Sequence, residues 1–142
     1  MLKGIPEILS PELLKVLCEM GHRLVIADGN FPVMSMGKNA QIIRMDGHGV
    51  PEILDAILRV FPLDTYIEKP VNLMEVMPGD DVQTPIWDVY KKTVEKYDER
   101  GKNAIGEIER FKFYEETKTA YAVIATSEKA LYANIMLQKG VV

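Results

Sequence analysis

The sequence predicts a three-layer α/β/α sandwich on one largely parallel sheet, formed by a single domain spanning residues 1–142. Two observations carry that expectation. Short apolar runs of strand length alternate along the chain with longer segments whose apolar residues recur at helical spacing. Two of the runs, residues 24–27 (Leu-Val-Ile-Ala) and 120–125 (Ala-Tyr-Ala-Val-Ile-Ala), carry no charge, as strands covered on both faces require. A chain of 142 residues is long enough to bury such a core. No internal repeat, low-complexity tract or Ser/Gly linker divides it.

The first helix opens at Ser10, an N-cap residue, with Pro11 at the first helical position and Glu12 near the positive end of the dipole. Leu13, Leu14, Val16, Leu17 and Met20 follow at helical spacing, and Gly21 is placed to end the helix as a C′ residue. Residues 24–27 then form a strand that runs into an Asp28-Gly29-Asn30 turn. Residues 41–44 are a second short strand. Pro51 opens a helix with Ile53, Leu54, Ile57, Leu58 and Phe61 on one face and Pro62 beyond its end. Residues 71–76 read as a third strand, closed by Pro78-Gly79-Asp80. Thr84-Pro85 caps a long helix that reaches Arg100 and stops at Gly101. Residues 107–110 are predicted as strand and 111–118 as helix. Residues 120–125 are a buried strand, Ser127-Glu128 starts a helical turn, and residues 134–138 are the last strand.

Charge and motif content narrow the function. The formal net charge of -4, without a basic run, gives no footprint for nucleic acid and no pull toward anionic membranes. No window approaches the ~18 apolar residues of a membrane span. Residues 1–7 lack the apolar stretch of a secretory leader. Cys18, the only cysteine, allows no internal disulfide and is expected to pack near the core stripe of its helix. The expected setting is the reducing cytoplasm. No Gly-x-Gly-x-x-Gly or Gly-Lys-Ser/Thr phosphate loop occurs, and Asp46-Gly47-His48-Gly49 has the wrong spacing. No Gly-x-Ser-x-Gly elbow occurs either. His22 and His48 stand too far apart for a metal signature, so neither metal nor cofactor is expected.

A few side chains remain that suit proton transfer and hydroxyl recognition. In open α/β sheets ligands sit beyond the carboxyl ends of the strands, where Asp28 follows its strand directly. Its carboxylate can accept from sugar hydroxyls, or it can close an Asx-turn with Gly29-Asn30. His22 is the residue type suited to proton transfer in both directions, although a histidine after a helix also suits the dipole alone. His48, near a helix start, reads as structural or solvent-facing. Arg110 precedes the aromatics Phe111, Phe113 and Tyr114, which are expected in the core, and can pair with Glu107, Glu109 or Glu115. Tyr132 and Asn134 supply a phenol and an amide next to the last strand; a buried tyrosine with a satisfied hydroxyl is the plainer reading. The eight methionines fill core gaps or subunit contacts.

Taken in order, several stretches resemble the fucose mutarotase/ribose pyranase family over nearly the whole chain. They are Ser10-Pro11-Glu12-Leu13-Leu14 with Gly21-His22, Ala27-Asp28 with Phe31-Pro32, Arg44-Met45-Asp46-Gly47, Leu63-Asp64-Thr65-Tyr66, and Gln83-Thr84-Pro85-Ile86-Trp87. Ile108-Glu109-Arg110-Phe111 with Phe113-Tyr114-Glu115, and Leu131-Tyr132-Ala133-Asn134 with Lys139-Gly140-Val141, complete the series. The Arg110–Tyr114 stretch resembles the L-fucose branch more than the ribose branch. The resemblance implies a homo-oligomeric ring, commonly a decamer, with sites at subunit contacts and a free monosaccharide, L-fucose, as substrate. It implies His22 as the catalytic histidine and Asp28, Arg110, Tyr132, Ala133 and Asn134 as sugar contacts; the Tyr132 phenol, able to donate or accept a proton, is the expected second proton-transfer group. In that family the segment between the histidine and the aspartate is two residues longer. An even shortening leaves strand facing unchanged, so Asp28 keeps its direction.

Fully extended, residues 22–28 span about 20 Å at ~3.3 Å per residue. One small sugar then meets both His22 and Asp28 only if the chain bends or a second subunit contributes. The implied reaction is anomer interconversion, in which the ring opens and closes through two proton transfers without a cofactor. Pyranose–furanose interconversion of ribose, a sugar-binding or regulatory protein without turnover, and a purely structural ring remain open at this level.

Overall fold

The computed structural model describes residues 1–142. Its elements are α1 (Pro11–Glu19), β1 (Arg23–Ala27), α2 (Val33–Met36), β2 (Gln41–Met45), α3 (Val50–Leu58), β3 (Val71–Met74) and α4 (Pro85–Tyr97). A 3-10 turn at Gly101–Ala104 leads into β4 (Ile105–Ile108), followed by α5 (Arg110–Thr117), β5 (Ala122–Thr126) and β6 (Ile135–Gln138). One six-stranded sheet takes all the strands in the order β2-β5-β1-β6-β3-β4. β1, β2 and β5 pair in parallel, as do β3 and β4. β6 alone is antiparallel, and it joins the two parallel groups through β1 and β3.

Alternation along the strands builds two unequal cores. Leu24, Ile26, Val71, Leu73, Ile124, Ile135 and Leu137 face α1, α3 and α4 in a cluster of 28 buried residues. Val25, Ala27, Val123 and Met136 face the other way and meet Phe31 and Phe113 in a cluster of 8. The larger core carries most of the hydrophobic stabilisation, and the thinner layer leaves room for a cleft beside Phe31 and α5. Leu24 to Ala27 are wholly buried, as their uncharged run predicts. No helix is long and apolar enough to cross a membrane.

The structure corrects several local expectations. α1 does not end on a left-handed Gly21. Its C-cap is Met20 in extended conformation, because the Lys139 ammonium takes the carbonyls of Leu17 (2.6 Å) and Met20 (3.0 Å). Cys18 is exposed, not packed. The four-residue α2 was not anticipated. α4 stops at Tyr97, since Asp98 turns back to hold the Arg100 backbone N–H and guanidinium. Gly101, at φ +55, then makes the reversal. β4 begins earlier than predicted because Ile105 already pairs with Val71 of β3, and α5 does because the Glu109 carboxylate caps it by accepting from the Phe111 and Lys112 N–H groups. Ser127-Glu128 starts no helix. The Glu128 carboxylate accepts instead from the N–H groups of Val50, at the start of α3, and of Lys129 and Ala130.

Candidate active site

Five parallel strands end at one edge of the sheet, and β6 starts there. The chain leaves β1 toward β2 on one side and leaves β3 toward β4 on the other, so the connections diverge between β1 and β3. Such a divergence opens a crevice at the carboxyl edge. The crevice is present: a cavity of about 200 Å³ is lined by Asp28 from the end of β1, Met74 from β3, Arg110 and Tyr114 from α5, and Tyr132 and Asn134 from the run into β6. Asn30, Phe31 and Leu131 complete its wall.

Asp28 is buried and fixed from several sides. Its N–H donates to Asn134 Oδ1 at 2.7 Å, and its Oδ1 accepts from the Asn30 N–H at 3.0 Å. The Asx-turn and the cavity position therefore coexist. Burial pushes the carboxyl above its usual range, opposed by the N–H groups of Asn30, Phe31 and Ala133 and by the Asn134 side chain. Neighbouring Thr126, at the end of β5, donates to the Ala27 carbonyl at 2.7 Å and ties β5 to the base of the site.

Arg110 is exposed at the first position of α5. Its guanidinium lies over the Phe111 and Tyr114 rings at 5.7 and 5.5 Å, and its Nε donates to the Tyr114 hydroxyl at 3.1 Å. It pairs with this phenol rather than with a nearby glutamate, so the charge stays available at the cavity mouth. Of the aromatics expected in the core, Phe113 is buried but Phe111 is exposed. Phe31 packs edge-on against Tyr114 at 5.6 Å and forms an apolar wall opposite Asp28 and Asn134.

Tyr132 is half-buried and has φ +54, the single positive-φ residue besides glycines. The strained backbone is held by neighbours: Trp87 Nε1 donates to the Tyr132 carbonyl at 2.8 Å, and the Tyr90 hydroxyl donates to the Ala133 carbonyl at 2.6 Å. The Tyr132 hydroxyl donates to Asp80 Oδ2 at 2.6 Å and accepts from the Met77 N–H at 3.2 Å. The carboxylate beside it holds the phenol above its ordinary pKa. Ala133 is fully buried and reaches the site through its backbone.

His22 is not in this cavity. It is exposed at the opposite edge, before β1, in a separate hollow with Asn39, Gln41, Thr119 and Tyr121. There the Tyr121 hydroxyl and the Gln41 amide both donate to Glu19. His48 is half-exposed beside Glu52 at 2.9 Å, away from both hollows. No group of three or more His, Cys, Asp or Glu side chains gathers as a metal-ligand set.

The model of the RbsD / FucU transport protein family matches residues 3–142. The chain belongs to this family. Relatives are similar along their whole length. Fucose mutarotase of Mus musculus is 48% identical over 145 aligned residues, covering 98% of this chain and 94% of the mouse protein. FucU from Bifidobacterium longum matches at a TM-score of 0.96 with 68% identity over 99% of both chains. The fucose mutarotase of Streptococcus pneumoniae, solved in complex with L-fucose, matches at 0.91 with 45% identity, again over 99% of both.

In this RbsD/FucU chain, five of the six residues singled out in the sequence meet at one cavity: Asp28, Arg110, Tyr132 and Asn134 line it and Ala133 backs it. His22 stands apart. Sequence reasoning missed Phe31, Met74, Leu131 and, beyond the rim, Asp80. Phe31 and Leu131 sit inside motifs already singled out, whereas the signal for Asp80 was the preceding Pro-Gly, which fixes a turn and presents the next residue.

Proposed function

We propose that this chain is an L-fucose mutarotase, a carbohydrate isomerase that interconverts the α and β anomers of the free sugar. The observation that carries the reading is the cavity itself. A buried carboxylate, an amide and a guanidinium face a wall of Phe31, Met74 and Leu131, a set suited to a sugar with several hydroxyls and one apolar end. Full-length likeness to fucose mutarotases, one solved with L-fucose, supports the same substrate.

In this reading Asp28, Arg110 and Asn134 hold the non-reacting hydroxyls. One group takes the proton from the anomeric hydroxyl while another protonates the ring oxygen. The C1–ring oxygen bond breaks, the aldehyde rotates about its bond to C2, and closure on the other face reverses both transfers. Tyr132 serves one transfer and His22 the other. Positioned acid–base groups contribute ~10²–10⁴-fold each, enough for a reaction that already proceeds slowly in water. The distance of His22 from its own chain's cavity supports a site completed by a neighbouring copy, and hence a homo-oligomeric ring, which we take to be a decamer acting in the cytoplasm.

Saturation-transfer NMR on equilibrated α/β L-fucose tests the reading. Catalysed exchange between the anomeric signals is the expected result. Exchange seen with D-ribose alone would reassign the chain to pyranose–furanose interconversion, and saturable sugar binding without faster exchange would make it a binding protein.

A further inference from the structure

The loop after β3 is a tight turn that delivers two polar groups to one atom. Met77-Pro78-Gly79-Asp80 closes with the Asp80 N–H donating to the Met77 carbonyl at 3.0 Å, and Gly79 takes φ +83 at its third position. This is the type II pattern, with proline second and glycine third. The turn faces the Tyr132 hydroxyl with the Met77 N–H as donor (3.2 Å) and the Asp80 carboxylate as acceptor (2.6 Å). A separation of 2.6 Å is that of a charge-assisted O–H···O⁻ bond.

A phenol has one proton and two lone pairs. Here the proton points to Asp80 and one lone pair is taken by Met77, which leaves one lone pair for the cavity that Tyr132 lines. The hydroxyl is thus oriented toward the cavity as an acceptor. From this geometry, and resting on the mutarotase reading, we infer that Asp80 is a positioning residue for the reaction: it fixes the Tyr132 proton away from the sugar and receives that proton when the phenol oxygen accepts the anomeric one.

The balance is simple. The anomeric O–H breaks and a new Tyr132 O–H forms; the original Tyr132 O–H breaks and an Asp80 carboxyl O–H forms. The electron pair left on the anomeric oxygen becomes the aldehyde π bond, and the C1–ring oxygen pair passes to the ring oxygen. That oxygen takes its proton from a ring N–H of the His22 supplied by a neighbouring copy, the N–H bond breaking as the ring-oxygen O–H forms. Asp80 is exposed, so the proton it receives exchanges with water. The charged and titratable groups facing the phenol are Asp80 from the turn, Arg110 and Tyr114 from α5, and Asp28 from the end of β1. Of these, Asp80 and Arg110 act on the phenol in opposite senses, Asp80 holding its proton on and Arg110 favouring release.

The test compares wild type, Asp80→Asn and Asp80→Glu as full chains. L-fucose anomer exchange is measured at several sugar concentrations, and phenolate formation is followed by ultraviolet titration against Tyr132→Phe. Asp80→Asn is expected to lower kcat about 10²-fold with KM changed less than about threefold. Its Tyr132 phenolate should form at lower pH than in wild type, and Asp80→Glu should recover part of kcat. Unchanged kcat in Asp80→Asn overturns the inference. So does a fall in kcat with an unmoved phenolate onset, which would reduce Asp80 to a loop anchor. If wild type itself exchanges no anomers, the mutarotase reading fails and the inference with it. The titration would then still show whether Asp80 holds the proton.

Discussion

Burial of Asp28 disfavours its charged form more strongly than the surrounding N–H groups favour it, so its carboxyl sits above the usual range. A folded pKa raised above the unfolded one means that ionisation costs the native state. That cost is present at neutral pH and disappears as pH falls below about 4, where both states are protonated. Asp28→Asn keeps the shape and the Oδ1 acceptor for Asn30, so its Tm should exceed wild type at pH 7 and converge with it in acid. The same variant should bind L-fucose at least about tenfold more weakly, because a hydrogen bond to a charged group contributes ~1.5–3 kcal/mol. Calorimetry at two pH values and a binding isotherm check both halves; a Tm below wild type at pH 7 would contradict the burial argument. At Tyr132 the left-handed backbone costs ~1–3 kcal/mol and is maintained by the Trp87 and Tyr90 hydrogen bonds to the Tyr132 and Ala133 carbonyls. Trp87→Phe removes one of them. It should cost about 1 kcal/mol in urea unfolding and lower kcat, since the phenol is no longer held at its angle.

Helix ends show why some boundaries are legible in a sequence and others are not. Ser10 caps α1 through Leu13 at 3.2 Å, a partner three residues away, and the sequence announces it. The other end of α1 is closed by Lys139, and the start of α3 by Glu128, both brought in by the fold from distant positions. No local pattern encodes such partners, so from sequence alone Gly21 reads as a helix end and Ser127-Glu128 as a helix start. Lys139→Met keeps the aliphatic stem and removes the donors; it should lower the urea midpoint at an unchanged m value, a loss of about 1–2 kcal/mol of stability. Asp98 behaves as the opposite case to Asp28. The Arg100 guanidinium holds its carboxyl below the ordinary range, so its stabilisation is present above the unfolded pKa of about 4 and lost as pH falls through the folded one. Arg100 also donates to the Asp64 and Ile67 carbonyls. Asp98→Asn should therefore loosen the 64–67 loop at neutral pH and differ little from wild type in strong acid, readable as amide exchange at those residues.

For the molecule as a whole, alternating strand and helix patterns sufficed to predict the layers and the sheet edge that carries Asp28. The antiparallel β6 was not legible, since four apolar residues bear no mark of direction. Nor can one chain's sequence say what lies against an exposed histidine. The proposed division of each site between copies has a direct check. His22→Ala and Tyr132→Phe chains, each expected to be folded and inactive alone, should regain exchange when refolded together, with about a quarter of the interfaces pairing two intact halves at random. Activity retained by His22→Ala alone would remove the imidazole from the reaction. β6 carries a further consequence, for biosynthesis. Until Ile135–Gln138 emerges, β1 and β3 each present a bare edge to the crowded surroundings of the ribosome. At ~5–20 residues per second, the interval between translating β1 and β6 is about 5–20 s. Chains truncated before Ile135 should therefore sediment as aggregates, while chains that include Ile135–Gln138 seal the seam and stay in solution.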